Sequence, residues 1–209
     1  MKRKMTRSQL WTYGIAIVLS SVLAGEITYM MNAGLSSLPV TGTAPNLTAI
    51  NVATGKPLSL DSLHGKVVLM TWYYTHCPNI CPLTMYHFEQ VQDQLEQQGV
   101  FGNKVVLVAV TFDPVHDTPS VIRQYSQHFH ANSRGWIFLR SAPSQIDTIL
   151  QQWGVQVRQT SDPMFFLHTT KTVLIDQFGN IRWTYPTEYL DPGEIVANIQ
   201  SLLARSNWS

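Results

Sequence analysis

"KVVLMTWYYTHCPNICPLTMYHFEQVQDQLEQQG", residues 66–99, holds the decision about the fold. Its first nine residues, Lys66 to Tyr74, form a β-branched and aromatic run too continuous to leave one face in water, which predicts a central strand. Further along, Phe88, Val91 and Leu95 recur at helical spacing and Gly99 supplies a terminator. Between the two lies "THCPNICP", Thr75 to Pro82, which contains the only two cysteines of the chain. The sequence thus predicts a thiol pair on the turn that leads from a buried strand into a helix.

That placement has chemical consequences. A helix N-terminus presents unpaired N–H groups and a partial positive charge. A thiolate held there falls below its ordinary pKa of about 8.5 and becomes both nucleophile and metal ligand. Pro82 suits the first turn, where a missing N–H costs no hydrogen bond. Residues i and i+4 share a helix face with Cβ atoms roughly 5–6 Å apart. Two sulfurs at that spacing can converge on one ion or, with modest adjustment, join as a disulfide. A purely structural disulfide here would close a tiny loop and constrain the unfolded chain little, so a functional pair is the better reading.

Two thiolates do not complete a tetrahedral zinc site, and the chain has no second cysteine pair. Soft thiolates select Cu(I), and one added imidazole gives a trigonal set that also accepts Cu(II). Seven histidines are available. His76 adjoins Cys77 at the strand end, where its side chain is expected to point away. His87 lies on the helix but off the Cys81 face, and nothing places His64, His128 or His130 near the thiols. His116 sits in a strand-to-helix loop and stays open. His168 leads, because it precedes the "TKTVLID" strand, whose leading loop a thioredoxin-like sheet would bring against the thiol-bearing helix start.

Working outward, "VVLVAVTFD" (Val105 to Asp113) and "WIFLR" (Trp136 to Arg140) read as two more strands. Thr118-Pro119 opens a helix between them as N-cap and first-turn proline, and Pro143 starts another that runs to about Trp153. Thr170 to Pro186 reads as a hairpin around Gln177-Phe178-Gly179-Asn180. Asp191-Pro192-Gly193-Glu194 begins the last helix with a capping-box-like start. The order β-α-β-α-β-α-β-β-α indicates an α/β fold with a mixed central sheet flanked by helices, compatible with a thioredoxin-like domain over residues 44–209.

The N-terminal segment is of another kind. Lys2, Arg3, Lys4 and Arg7 hold four of the 14 basic residues, leaving 10 against 13 acidic ones, a net of −3 for the rest. No basic cluster recurs, so nucleic acid is not an expected partner. "LWTYGIAIVLSSVLAG" (Leu10 to Gly25) carries no charge and follows those four cations. That polarity predicts a signal-anchor over residues 1–31, a single-pass span in the cell membrane with the domain on the extracytoplasmic side. Val22-Leu23-Ala24 leaves open a cleaved signal peptide, and either way the domain is exported. Residues 32–43, uncharged and rich in Gly, Ser, Thr and Pro, read as a linker.

"YYTHCPNICP", "VTFDPVHDTP" and "FFLHTTKTVLIDQFGNI" together resemble the three signature segments of the Sco (SenC) family, in order and spacing, across nearly all of the exported domain. The resemblance implies a membrane-anchored, thioredoxin-like assembly protein of cytochrome c oxidase. It implies copper, as Cu(I) or Cu(II), bound by Cys77, Cys81 and His168. It also implies Asp113 near the metal as an orienting or docking residue. Subunit II of cytochrome c oxidase, with its dinuclear CuA site, is the partner it points to; a further copper chaperone or a thiol reductant is a second expected partner. Three departures stand out: Asn79 where Asp is usual, His116 where Arg is usual, and "FLHTT" around His168. Two functions remain in competition, with copper sensing or buffering a third reading that stays open. One is a copper metallochaperone. The other is a thiol-disulfide reductase in which Cys77 and Cys81 are the redox-active catalytic pair and no histidine is required.

Overall fold

The computed structural model describes residues 38–162, 165–169, 171–186 and 189–205. The expected anchor over residues 1–31 lies outside the described residues; among those described, no helix is long and apolar enough to cross a membrane.

The continuous apolar runs form the centre of the sheet. β4 (Val67–Tyr73) and β5 (Val105–Thr111) are buried at every position. They pair in parallel from Val67 opposite Val105 to Tyr73 opposite Thr111. β6 (Trp136–Arg140) lies parallel to β5. On the other side of β4, β9 (Thr172–Ile175) runs antiparallel, followed by antiparallel β10 (Asn180–Tyr185). The predicted hairpin is therefore present, and Asp176 shapes its turn by accepting the N–H groups of Phe178 and Asn180 at 3.0 and 2.9 Å.

Three short strands complete this sheet. β1 (Gly42–Thr43) adds to β10, and β2 (Thr48–Asn51) with β3 (Lys56–Ser59) adds to β6, giving the order β1-β10-β9-β4-β5-β6-β2-β3. Residues 38–43 fall within the range read as linker, yet Leu38 is buried and Gly42 and Thr43 pair with Ile181 and Asn180. Arg182 secures this arm by donating to the Leu38 carbonyl while bonding Asp176 at 3.0 Å. A separate two-stranded ribbon, β7 (Val157–Gln159) with β8 (Phe166–His168), stands outside the sheet.

The four α-helices among the described residues follow from caps and apolar spacing. α1 (Ile80–Gln97) ends at Gly99, whose φ of 69° is a left-handed conformation that glycine adopts without strain. α2 (Pro119–His128) starts with Thr118 accepting the N–H of Val121 and Pro119 in the first turn. α3 (Ile146–Gln152) begins three residues later than Pro143, after a turn. α4 (Pro192–Arg205) starts with the Asp191 carboxylate accepting the Gly193 N–H at 2.8 Å. Strand alternation divides the aromatics between faces. Tyr73 stacks on Tyr125 of α2 and meets Phe138, while Phe88 of α1 packs on Trp136. Trp72 points the other way, onto Trp153 after α3. The result is a mixed sheet sandwiched by helices, with β5-β4-β9-β10 and α1 and α4 in the thioredoxin-like arrangement.

Candidate metal centre

The thiols stand where β4 gives way to α1. Asn79, in the N-cap position, makes no side-chain capping bond. Cys77 Sγ accepts the N–H of Cys81 at 3.3 Å in its place, so a sulfur meets one of the unpaired donors of the helix start. Both cysteines are free and buried, Cys77 more shallowly at 7% exposure against 2% for Cys81.

The remaining member arrives through sheet topology. β9 is antiparallel to β4 with Thr172 opposite Thr71, so the chain entering β9 lies at the C-terminal end of β4, beside the thiols. His168 ends β8 just upstream and pairs with Val157 of β7. Three rings hold it: Phe112 at 4.9 Å and Tyr74 at 5.9 Å between ring centres, with Phe166 packed on both. Its Nδ1 lies 3.3 Å from the Thr169 carbonyl oxygen. A carbonyl only accepts, so Nδ1 carries the hydrogen and Nε2 keeps the lone pair.

One ligand atom each from Cys77, Cys81 and His168 lies within 4.8 Å of the others. Donors bound to a common ion at about 2.0–2.3 Å lie about 3.5–4 Å apart, so a contraction of at most about 1.3 Å closes the set. Two soft sulfurs and one imidazole form a three-donor set matched to copper, with a further coordination position open. His116, the alternative histidine, is not in this group, and neither is Asp113; those two bond to each other at 2.8 Å.

The electrostatics are asymmetric. The Cys77 thiol is pulled down to about 4, chiefly by the hydrogen bond from the Cys81 thiol. Burial opposes that shift, while the His168 ring and the backbone N–H groups of Asn79 and Cys81 assist it. Cys81 is pushed up, because its proton is held by Cys77, it is buried, and a second negative charge would stand beside the first. Cys77 is thus the ready thiolate and Cys81 the proton-bearing partner.

One positioning residue escaped the sequence reading. Asp117, fully buried, accepts the Thr75 backbone N–H at 3.2 Å and the Thr75 hydroxyl at 2.5 Å. It also accepts the hydroxyl of Thr111 at the end of β5. Arg140 closes the frame by donating to the carbonyls of Pro114 and Asp117. The thiol turn is thereby fixed to the 113–119 loop. The signal was present in the second acid of "DPVHDTP", but nothing in spacing alone reveals that it is buried. The Tyr74, Phe112 and Phe166 cage escaped for the same reason.

The chain is 30% identical over 149 residues to an SCO2-like protein of Rickettsia felis, covering 68% of each chain. A SCO1/SenC family lipoprotein from Bacillus anthracis superposes with a TM-score of 0.70 at 21% identity, over 79% of this chain and 97% of that one. Arabidopsis thaliana ScoI, solved with copper bound, gives a TM-score of 0.66 at 23% identity over 78% and 99% of the two chains. The SCO1/SenC family model matches residues 46–204, which take in the thiol turn, the 113–119 loop and His168, and the chain belongs to the SCO1/SenC family.

Proposed function

We propose that this chain is an extracytoplasmic copper carrier that binds copper through Cys77, Cys81 and His168 and delivers it to the CuA site of subunit II of cytochrome c oxidase. The observation that carries the reading is the convergence of two thiols and one imidazole within 4.8 Å at a strand-to-helix turn. The copper bound by Arabidopsis ScoI supports it, as does the four-cation start that leads into an uncharged run over residues 10–25. Copper is cargo here. Cys77 and Cys81 hold it by sulfur, His168 completes three-coordination, and the open position admits a thiolate of the acceptor. Each acceptor bond that forms then replaces one bond to this chain, so the ion is never free. The experiment is transfer from the copper-loaded full-length chain to an apo-CuA domain under a fixed glutathione ratio. Appearance of the CuA absorption is expected, and its absence would overturn the delivery role.

The unequal thiols favour a second reading, reduction of a partner disulfide. The Cys77 thiolate attacks one partner sulfur, breaking the S–S bond and releasing a partner thiolate. Cys81 then loses its proton and attacks Cys77 Sγ, releasing the second partner sulfur and leaving a Cys77–Cys81 disulfide that an external dithiol reduces. His168 forms and breaks no bond in these steps, and the Cys81 hydrogen bond, the larger pull on the Cys77 thiol, remains without it. His168→Ala therefore separates the readings: it should stop copper delivery while disulfide reduction continues at the wild-type rate.

A further inference from the structure

Beside the thiols stand two histidines that the metal centre does not use. His76 is exposed immediately before Cys77, and His116 is half-buried in the 113–119 loop. Their ring centres are 6.5 Å apart with planes at 79°. Hydrogen bonding fixes the nitrogen that each ring offers. The Asp113 carboxylate accepts from His116 Nδ1, at 2.9 and 2.8 Å to its two oxygens, which leaves the lone pair on Nε2. The Thr75 hydroxyl gives its hydrogen to Asp117, so toward His76 Nδ1, at 3.3 Å, it can only accept. His76 therefore also keeps its lone pair on Nε2. A carboxylate behind an imidazole is the arrangement that orients metal-binding histidines.

The spacing fits a shared ion. With a metal–nitrogen bond of about 2.0–2.1 Å and a ring centre about 1.2 Å behind the nitrogen, two imidazoles on one ion have centres about 5–6.5 Å apart. The observed separation is the upper limit of that range, reached when the two nitrogens stand trans across the ion, and both loops are held in register by the bonds of Asp117 to Thr75 and of Arg140 to Pro114 and Asp117. A brace for the 113–116 turn would need His116 alone; a second imidazole at ligand spacing is what makes this a site.

We propose that His76 and His116 form a second copper site, with water completing the shell, where incoming copper lands before passing to Cys77 one residue away. The onward passage rests on the copper reading of Cys77, Cys81 and His168; binding at the histidine pair does not. The test loads the full-length chain in detergent with Cu(II) chloride under argon, desalts it, and measures retained copper and its electron paramagnetic resonance spectrum. The Cys77→Ser/Cys81→Ser/His168→Ala variant should retain a single equivalent with nitrogen ligation, and adding His76→Gln and His116→Gln should remove it. Loss of copper in the first variant, or equal retention in the second, overturns the site. In the chain with intact thiols, the two histidine replacements should leave the sulfur-to-copper charge-transfer band at full height and slow its rise about tenfold; an unchanged rate overturns the landing role. A wild-type chain that never develops the band contradicts the thiol site alone, because the first comparison is made without those thiols.

Discussion

Cys77 Sγ accepts the backbone N–H of Cys81 at 3.3 Å, so one sulfur caps the helix and forms the outer half of the thiol pair. Helix capping therefore also assists thiolate stabilisation, adding to the larger hydrogen bond from the Cys81 thiol, because the N–H that needs an acceptor lowers the charge cost on sulfur.

Alkylation should expose the asymmetry. With its thiol pulled down to about 4 by the Cys81 hydrogen bond, Cys77 is already thiolate throughout the neutral range. Its iodoacetamide rate should stay flat between about pH 6 and about pH 8, whereas a free cysteine accelerates nearly tenfold per pH unit there. Cys81, pushed up by its neighbour and by burial, should label far more slowly. Peptide mass spectrometry reads both, and a Cys77 rate rising tenfold per unit would contradict the assignment.

Asp117→Asn should weaken the frame beneath the site. Asn keeps one accepting oxygen but replaces the other by an NH2 donor, so one of the Thr75 and Thr111 donors that Asp117 now satisfies loses its acceptor. A buried unsatisfied group costs about 1–3 kcal/mol, so urea unfolding should show a loss of about that size. Copper affinity should fall about 10–100-fold, as it does when groups that orient ligands are removed.

Phe112→Leu isolates the cage around His168. The ring centres are 4.9 Å apart and Phe112 is buried. A near volume-conserving change should cost less than about 1.5 kcal/mol in stability. Copper should nevertheless dissociate faster, measured by transfer to a chelator, because the imidazole loses the wall that sets its plane.

Arg182→Met provides a contrast at the opposite pole of the sheet. Arg182 pairs with the nearly fully buried Asp176 at 3.0 Å and holds the Leu38 carbonyl. Leaving one buried charge unpaired costs about 3–5 kcal/mol. Thermal and urea unfolding should register that loss, while copper stoichiometry of the folded protein stays unchanged.

How legible the molecule was in its sequence depended on length and burial. β4, β5 and β6 were readable because each is an unbroken apolar run, and the β9–β10 hairpin because Gly179 with its φ of 81° marks the turn. β7 and β8 were not, since three-residue strands with no buried position carry no periodicity. β1 was hidden within a stretch whose Gly, Ser, Thr and Pro content resembles a linker; its pairing with β10 is dictated by a distant partner. His168 was placed by topology rather than by local pattern, through the antiparallel register of β9 on β4. Asp117 shows the limit: a buried acid and an exposed one look identical until the donors around it are known.

The copper carrier proposed for this chain requires Cys77, Cys81 and His168 to bind a single copper ion together. The direct measurement is copper content per full-length chain after loading with Cu(I) under argon and dialysis against a competing chelator, for wild type, Cys77→Ser and His168→Ala. Wild type should retain thiolate-bound copper while each variant loses it to the chelator; retention by either variant at the wild-type level would rule out the shared site.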